Sequence, residues 1–287
     1  MTKHQDTSSV ESAVSIIIPC YKMGEFLPEA LASVESQTFP SWELIMVDDA
    51  GPEDGTKGIF EDFARRNPER RAVFLRHEHN MGVSAARNSA IAAAQGEYLA
   101  FLDPDDIWMD GYLARMVGVL REDPGVSVVN ARLALFGELR GERLSDDRAV
   151  KLWPWEIANF PASLAVTNFI APSATVLRKE AMDKAGLFDT AKEIQHAEDY
   201  DLWIRLVEAG CRFVLLNEVL VRYRKHAGAA SDDPERMRRL ERVIVQKHGL
   251  FMNLALRRLV QNMHCRHEGL DDLVKNPLKR LWKKWVS

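Results

Sequence analysis

Cysteine is scarce in this sequence, long apolar runs are missing, and neither sign of charge is in large excess. The three cysteines, Cys20, Cys211 and Cys265, are far apart and form no C-x-x-C pair. That pattern argues against a disulfide framework or a structural zinc site and favours a reducing compartment. The formal net charge of −4 provides no global basic field, so we expect no nucleic-acid partner.

No apolar run approaches the roughly 20 residues that a membrane-spanning helix needs. Residues 1–13 are polar and lack the apolar centre of a signal peptide. We therefore expect a soluble, cytoplasmic protein. A chain of 287 residues is long enough to bury a sizeable core without the help of disulfide bonds or structural metal ions.

Short apolar segments alternate with helix-like segments in the first half of the chain. Strands alternating with helices of about a dozen residues indicate crossover connections and a mostly parallel sheet flanked by helices, which is an α/β fold. The predicted strands are 14–18, 43–47, 72–75 and 98–102, with the first ending at Pro19, and the predicted helices are 24–35, 56–66 and 83–94.

After about residue 130 the pattern loosens into long loops around short elements. A helix is predicted at 197–209, strands near 212–216 and 219–223, and a basic helical extension from residue 234 onward. We divide the chain into three parts, 14–130, 131–231 and a C-terminal helical extension at 232–287.

Three predicted strands end in polar groups, and in an open parallel sheet ligands bind beyond those strand ends. The acidic groups are Asp48-Asp49 and the turn Asp103-Pro104-Asp105-Asp106. A proline inside the acidic turn lets successive carboxylates converge, and a hard divalent ion takes one or two carboxylates together with substrate phosphates. The alternative is a solvated acidic loop that caps the next helix.

Five motifs then occur in a fixed order between about residues 14 and 231, and together they resemble glycosyltransferase family 2. That resemblance implies the GT-A (Rossmann-like) fold, a nucleoside-diphosphate sugar donor, a divalent metal (Mn²⁺ or Mg²⁺) and inversion at the anomeric carbon. The motifs are Ser15-Ile16-Ile17-Ile18-Pro19-Cys20-Tyr21, the segment from Ser36 to Asp49 that ends in Val47-Asp48-Asp49, Asn80-x-Gly82-x-x-x-Ala86-Arg87-Asn88, Phe101-Leu102-Asp103-x-Asp105-Asp106, and Ala197-Glu198-Asp199-Tyr200-Asp201-Leu202-Trp203-x-Arg205.

The resemblance also implies roles for individual residues. It makes 14–130 a nucleotide-sugar-binding part and 131–231 an acceptor-binding and catalytic part. Asp48 would hold the turn or the ribose, and Glu198 would position the base or the acceptor. The implied donor-binding residues are Pro19, Tyr21, Asp49, Arg87, Asp103 and Asp105; the metal ligands are Asp105, Asp106 and His226; and the catalytic pair is Asp199, as general base, with Glu198.

Each role has a structural alternative. Arg87 could be a charge on a helix surface, and Tyr21 could be a loop residue covering the sheet edge. Glu198-Asp199 could simply cap a helix, and His226 could be a solvated residue on a basic loop. Asp201, two positions beyond Asp199 on the predicted helix, would face elsewhere and is the weaker candidate for the base.

The chain departs from the family pattern at three places. Lys22 stands where asparagine is usual, Ala50-Gly51-Pro52-Glu53 replaces the usual glycine-serine after the aspartate pair, and Ala229-Ala230 stands where serine would follow the histidine. The groups expected to bind metal and to act as base are all retained.

Residues 275–287 combine five basic side chains with two tryptophans and no acid. Such a helix suits an anionic bilayer surface and would fit a lipid-linked acceptor, or it packs its tryptophans on the domain. The sequence thus predicts sugar transfer, with UDP as the expected carrier, to a glycan or lipid-linked acceptor in surface polysaccharide biosynthesis. The alternatives are a non-catalytic nucleotide-sugar-binding module and a sugar nucleotidyltransferase, although the glycine-rich basic loop that the latter needs after the first strand is missing.

Overall fold

A computed structural model of the chain describes residues 13–139, 142–144, 148–150, 154–226 and 233–265. Their strands form one curled sheet that runs through most of the described chain. The strands are β1 (Val14–Cys20), β2 (Trp42–Asp48), β3 (Ala72–Arg76), β4 (Tyr98–Phe101), β5 (Ile107–Trp108), β6 (Val128–Leu139), β7 (Glu142–Arg143), β8 (Arg148–Ala149), β9 (Thr175–Arg178) and β10 (Phe213–Lys225).

Helices cover both faces of this sheet, and short 3-10 turns at Ala162–Ala165, Pro172–Ala174 and Lys192–Ile194 interrupt the segments between them. The helices are α1 (Leu27–Glu35), α2 (Thr56–Arg66), α3 (Val83–Ala93), α4 (Tyr112–Glu122), α5 (Pro154–Ala158), α6 (Glu180–Ala185), α7 (Glu198–Glu208), α8 (Pro234–Lys247) and α9 (Gly249–Cys265).

The strand order is β3-β2-β1-β4-β9-β6-β10-β5. The first four strands are mutually parallel, β6 and β10 are parallel, and β9 and β5 run antiparallel to their neighbours. The predicted mixed, mostly parallel sheet is therefore confirmed. The chain moves outward from β1 to β3 and then returns to the other side of β1 with β4, and open α/β sheets bind ligands beside such a reversal.

The central strands β1 and β2 are buried along their whole length, as expected for parallel strands covered on both faces. One core cluster packs α1, α2 and α4 against the sheet. The other packs α3 and α7 on the opposite face, together with α8 and α9. The second cluster is the one that lies beneath the candidate site.

Helix α2 matches its predicted bounds, but Pro19 does not end the first strand, and that prediction was wrong. Ile17 accepts a hydrogen bond from Leu102 on the β4 side, so Pro19, two residues later, faces the same side. The paired part of β4 ends opposite Ile17, and the N–H that proline lacks would have no strand partner there. The two strands predicted after residue 211 are likewise one strand, β10, with register shifts near Val219.

The boundary predicted between residues 130 and 131 falls inside β6, so the two parts share one sheet, and the division stays a prediction. The helical extension is confirmed for α8 and α9, whereas the basic tryptophan-containing segment 275–287 lies outside the described residues. Across the described part of the chain, no helix combines the length and apolarity needed to cross a bilayer.

Candidate active site

The carboxyl ends of β1 and β2 lie side by side, with Cys20 opposite Asp48. Asp48 Oδ1 accepts a hydrogen bond from the Gly51 amide at 2.8 Å, and its Oδ2 lies 2.9 Å from Arg76 Nη1. Of the two roles predicted for Asp48, the structure shows the one that holds the turn.

Two of the departures from the family pattern occupy left-handed backbone positions. Lys22 has a φ of 59° and Ala50 a φ of 56°. Asparagine and glycine adopt this conformation more readily than other residues, which explains why they are usual there. Lys22 and Ala50 keep the loop geometry at a cost on the order of 1 kcal/mol each.

Asp49 connects the end of β2 to the start of α3. Its carboxylate is 3% exposed and accepts from the Met81 amide at 2.8 Å, from the Gly82 amide at 2.7 Å and from His77 Nδ1 at 2.6 Å. A carboxylate has about four acceptor positions, so about one remains. The ring of Tyr21, by contrast, is 40% exposed beside the same edge.

Arg87 joins the acidic turn to the predicted catalytic pair. Its Nη2 donates to Asp103 Oδ1 and its Nη1 to Glu198 Oε1, both at 2.7 Å. Arg87 is only 2% exposed, which excludes the helix-surface alternative. Burial by itself lowers the pKa of Arg87, but Asp103 and Glu198 outweigh it and raise the pKa above the ordinary value. The guanidinium therefore stays charged and holds the two segments together.

The acidic turn has one carboxylate in contact with a histidine and one that is buried. Asp105 Oδ2 lies 3.1 Å from His226 Nε2. Asp106 is 1% exposed; its Oδ1 accepts from the Arg224 amide at 2.9 Å, and its Oδ2 has no partner among the described residues. Burial, and then the neighbouring carboxylates, raise the pKa of both Asp105 and Asp106.

The donor set at this turn fits a cation that is shared with a substrate. Within the described ranges, no three acidic, histidine or cysteine side chains are grouped to hold a metal by themselves. The 3.1 Å between Asp105 Oδ2 and His226 Nε2 nevertheless matches the separation of about 3.0 Å between adjacent ligands of an octahedral ion with bonds near 2.1 Å. Two protein ligands completed by phosphate and water are the usual arrangement for Mg²⁺.

Glu198 and Asp199 begin α7 and point to different partners. Glu198 is 4% exposed and accepts from the His196 amide as well as from Arg87. Asp199 accepts from the Tyr200 amide at 2.7 Å through Oδ1 and from Asn168 Nδ2 at 3.1 Å through Oδ2. Both carboxylates thus accept a neighbouring backbone amide, but Ala197 is the N-cap residue of α7 and no side chain caps that helix, so neither carboxylate takes the capping role.

The pKa of Asp199 is raised to about 7 by burial first and by the negative charge of Glu198 second. Arg87, the Tyr200 amide and Asn168 oppose that shift by stabilising the carboxylate. A carboxyl group with a pKa near neutrality can accept a proton and release it again at physiological pH.

The sequence did not point to the segment 164–175, which contacts both halves of this site. Trp203 Nε1 donates to the Ile170 carbonyl at 2.9 Å, Asn168 donates to Asp199, and the Asp103 amide donates to Ser173 Oγ at 3.1 Å. These partners are 31 to 70 positions apart in the chain, so no local sequence spacing predicts their contacts. His77 behind Asp49 went unnoticed for the same reason.

A buried arginine joins two acidic segments beside a carboxyl group of raised pKa, and such perturbed groups concentrate at enzyme sites. The model of the family "Glycosyl transferase family 2" matches residues 15–186, and the chain belongs to that family of glycosyltransferases. The matched range ends before α7, so the family match does not include Asp199.

Relatives with curated names agree with the family assignment. The chain is 30% identical over 216 residues to a putative teichuronic acid biosynthesis glycosyltransferase, TuaG, of Bacillus subtilis, covering 74% of this chain and 78% of that one. It is 29% identical over 219 residues to the Escherichia coli UDP-Glc:alpha-D-GlcNAc-diphosphoundecaprenol beta-1,3-glucosyltransferase WfaP, covering 76% and 79%.

Solved structures confirm the GT-A fold. S. aureus TarS 1–349 in complex with UDP superposes with a TM-score of 0.62 at 20% identity, covering 94% of this chain and 77% of that one. A mannosyltransferase from Pyrobaculum calidifontis in complex with GDP-Man and Mn²⁺ gives a TM-score of 0.59 at 18% identity, covering 92% and 78%. At these identities the likeness shows the fold alone.

Proposed function

We propose that this protein transfers a sugar from a nucleoside-diphosphate sugar, with UDP as the carrier, to a hydroxyl group of a glycan or lipid-linked acceptor, with inversion at the anomeric carbon. One observation carries the proposal. Arg87 holds Asp103 of the acidic turn and Glu198 beside Asp199 within one buried cluster. A leaving diphosphate and a proton acceptor can therefore lie on opposite sides of one sugar ring.

The nucleotide would lie across the ends of β1 and β2. The exposed ring of Tyr21 offers a face on which a base can stack, with Pro19 below it. Asp49 keeps about one acceptor position for the base N–H. The UDP bound to TarS and the UDP-Glc in the name of WfaP support UDP as the carrier.

The diphosphate would lie at the acidic turn, where Asp105 and His226 would hold Mn²⁺ or Mg²⁺ together with the phosphate oxygens; within the described residues, Asp106, the third predicted ligand, is not grouped with them to hold an ion. When bound, such an ion neutralises charge on the leaving diphosphate as a Lewis acid. Neighbours in complex with Mn²⁺ support the choice of ion.

Asp199 would act as the general base. As the acceptor oxygen forms its bond to the anomeric carbon, the bond from that carbon to the diphosphate oxygen breaks, and the hydroxyl proton passes to the Asp199 carboxylate. A raised pKa suits this role because the group is both ionised and basic near neutrality. Glu198 remains bound to Arg87 and to the His196 amide, and so fixes the helix start that carries Asp199.

The names of the relatives support surface polysaccharide assembly as the setting, since TuaG is named for teichuronic acid and AmsB of Erwinia amylovora for amylovoran. For a lipid-linked acceptor, residues 275–287 would rest on the inner face of the membrane through their basic and tryptophan side chains. Deleting 275–287 should then reduce sedimentation with anionic vesicles.

The test is UDP release from UDP-glucose and UDP-GlcNAc, with and without Mn²⁺, in wild type and Asp199→Asn. We expect Asp199→Asn to bind UDP as wild type does, with release lowered by about 10²- to 10⁴-fold. Equal release by both proteins would show that Asp199 is not the base. A wild type that binds UDP yet releases none from any UDP-sugar, in the presence of lipid-linked acceptors, would favour the non-catalytic alternative.

A further inference from the structure

The segment between the 3-10 turns Ala162–Ala165 and Pro172–Ala174 contacts the start of α7 in a specific way. Asn168 Nδ2 donates to Asp199 Oδ2 at 3.1 Å, while Asn168 Oδ1 accepts from the Ile170 amide at 3.2 Å. Ile170 is itself tied to α7, because its carbonyl accepts from Trp203 Nε1 at 2.9 Å. Asn168 is thus fixed in place, through Ile170, by the same helix α7 that carries Asp199.

These contacts fix which end of the Asn168 amide faces the carboxylate. A reversed amide would direct its oxygen at Asp199 and its NH₂ group at the Ile170 amide, and both contacts would be repulsive. Only the observed orientation satisfies both neighbours, so the NH₂ group of Asn168 is the end that faces Asp199 Oδ2.

We propose that Asn168 is the positioning residue for the general base: its side-chain amide orients the Asp199 carboxylate and stabilises the ionised form that accepts the proton of the acceptor hydroxyl. This inference rests on the proposed function and adds a residue outside the motifs of the sequence. Asn168 itself contacts no reacting atom in this scheme.

Few groups compete with Asn168 for control of Asp199. On α7 itself, Glu198 opposes ionisation and the Tyr200 amide favours it; from α3, Arg87 favours it. Glu198 and Arg87 bind each other at 2.7 Å, and their charges act on Asp199 in opposite directions. The neutral donors Asn168 and Tyr200 N are then the direct contacts that hold the carboxylate, and of these only Asn168 is a side chain that can be changed.

The experiment is a carbon-13 titration of the aspartate side-chain carboxyls of the full chain, in which Asp199→Asn identifies the Asp199 signal. The variants are Asn168→Ala, which removes the donor, and Asn168→Asp, which replaces it with a carboxyl group. We expect the Asp199 midpoint to rise by about one to two pH units in Asn168→Ala and by more in Asn168→Asp. UDP release from UDP-glucose should fall about tenfold or more in Asn168→Ala at pH 7 and recover towards the wild-type rate above pH 9.

Asn217→Ala is the matched control, because Asn217 is exposed on β10 and contacts Arg132 at 3.0 Å rather than α7. It should change neither the midpoint nor the rate. An unchanged Asp199 midpoint in both Asn168 variants would overturn the inference, even if their melting temperatures fell, since that result describes a merely structural residue. The titration reads the Asn168–Asp199 contact directly, so it separates failure here from failure of Asp199 as base, which wild-type UDP release by Asp199→Asn would show.

Discussion

Two aspartates on α7, two positions apart, have opposite protonation properties. Asp199 is partly exposed, and neutral groups, the Asn168 amide and a backbone N–H, donate to it. Asp201 is 0% exposed and lies 2.8 Å from Arg205 Nε, 2.7 Å from Lys247 Nζ and 2.9 Å from His248 Nε2. The pKa of Asp199 is raised to about 7. Burial tends to raise the pKa of Asp201 as well, but hydrogen bonds from His248 and Lys247, followed by Arg205, lower it well below the ordinary value.

Burial raises the pKa of both carboxyl groups, so the comparison shows that the charged partners make the difference between them. Asp201 has the lower pKa because His248, Lys247 and Arg205 donate to it. Asp201, predicted as the weaker candidate for the base, is consequently an anchor that ties α7 to the end of α8 through Lys247 and His248. Asp199 keeps a raised pKa because Arg87, the cation that acts on it among the described residues, is engaged by Glu198 and Asp103.

The largest effect on stability should come from removing the anchor. Asp201→Asn removes the buried counter-charge of Arg205, while Lys247 keeps its second carboxylate partner, Asp189. Breaking a buried ion pair typically costs about 3–5 kcal/mol. Urea unfolding at pH 7 measures the loss. Because the folded-state pKa of Asp201 is depressed, its contribution is complete above the unfolded value of about 3.9 and declines as the pH falls below it.

The matched control for the anchor is Asp62→Asn, which breaks an exposed pair with Arg65 on α2 and should cost less than about 1 kcal/mol. If Asp201→Asn lowers the free energy of unfolding no more than Asp62→Asn does, Asp201 is not an anchor of α7.

The next effect is on the rate. With a pKa of about 7 for Asp199, kcat/KM for UDP release should fall about tenfold for each pH unit below 7, because the base must be ionised. We expect a midpoint near 7 for wild type between pH 5 and 9, and a flat residual rate for Asp199→Asn. A wild-type midpoint near 4 would mean that Asp199 behaves like an ordinary carboxylate, and the contrast with Asp201 would lose its functional meaning.

The smallest expected effect is on stability, and here the substitution should stabilise the protein relative to wild type as the pH rises. Because the pKa of Asp199 is raised on folding, its favourable contribution is present below about pH 4 and is lost as the pH rises towards 7. The stability of Asp199→Asn relative to wild type should therefore rise between pH 5 and pH 8, by about 2–3 kcal/mol. Thermal unfolding of both proteins at both pH values tests this, and a stability difference that stays the same at pH 5 and pH 8 would contradict the raised pKa.

Much of the fold was predictable because it depends on local pattern. The apolar runs of the first four strands and the helical spacing between them specify a parallel sheet, and α2 begins and ends where its pattern does. The errors came where a neighbour decides the outcome. Pro19 continues its strand because the adjacent strand has already ended on that side, and β10 stays one strand because β6 pairs along its length.

The candidate site shows the same division between features that local sequence predicts and contacts that only the fold creates. Its acidic residues were identifiable from their positions at strand and helix ends, since residue type and spacing carry that information. The contacts of these carboxylates were not predicted, because Arg87, Asn168 and Lys247 reach carboxylates 16 to 111 positions away in the chain.

By itself, the sequence determined the family, the parallel sheet and the list of carboxylates that we propose to bind a diphosphate or accept a proton. Only the tertiary structure decided which aspartate of α7 has a raised pKa and which is an ion-paired anchor. The physical reason is that a carboxyl pKa depends on the charges and donors within a few ångströms, and folding alone brings those groups together from distant parts of the chain.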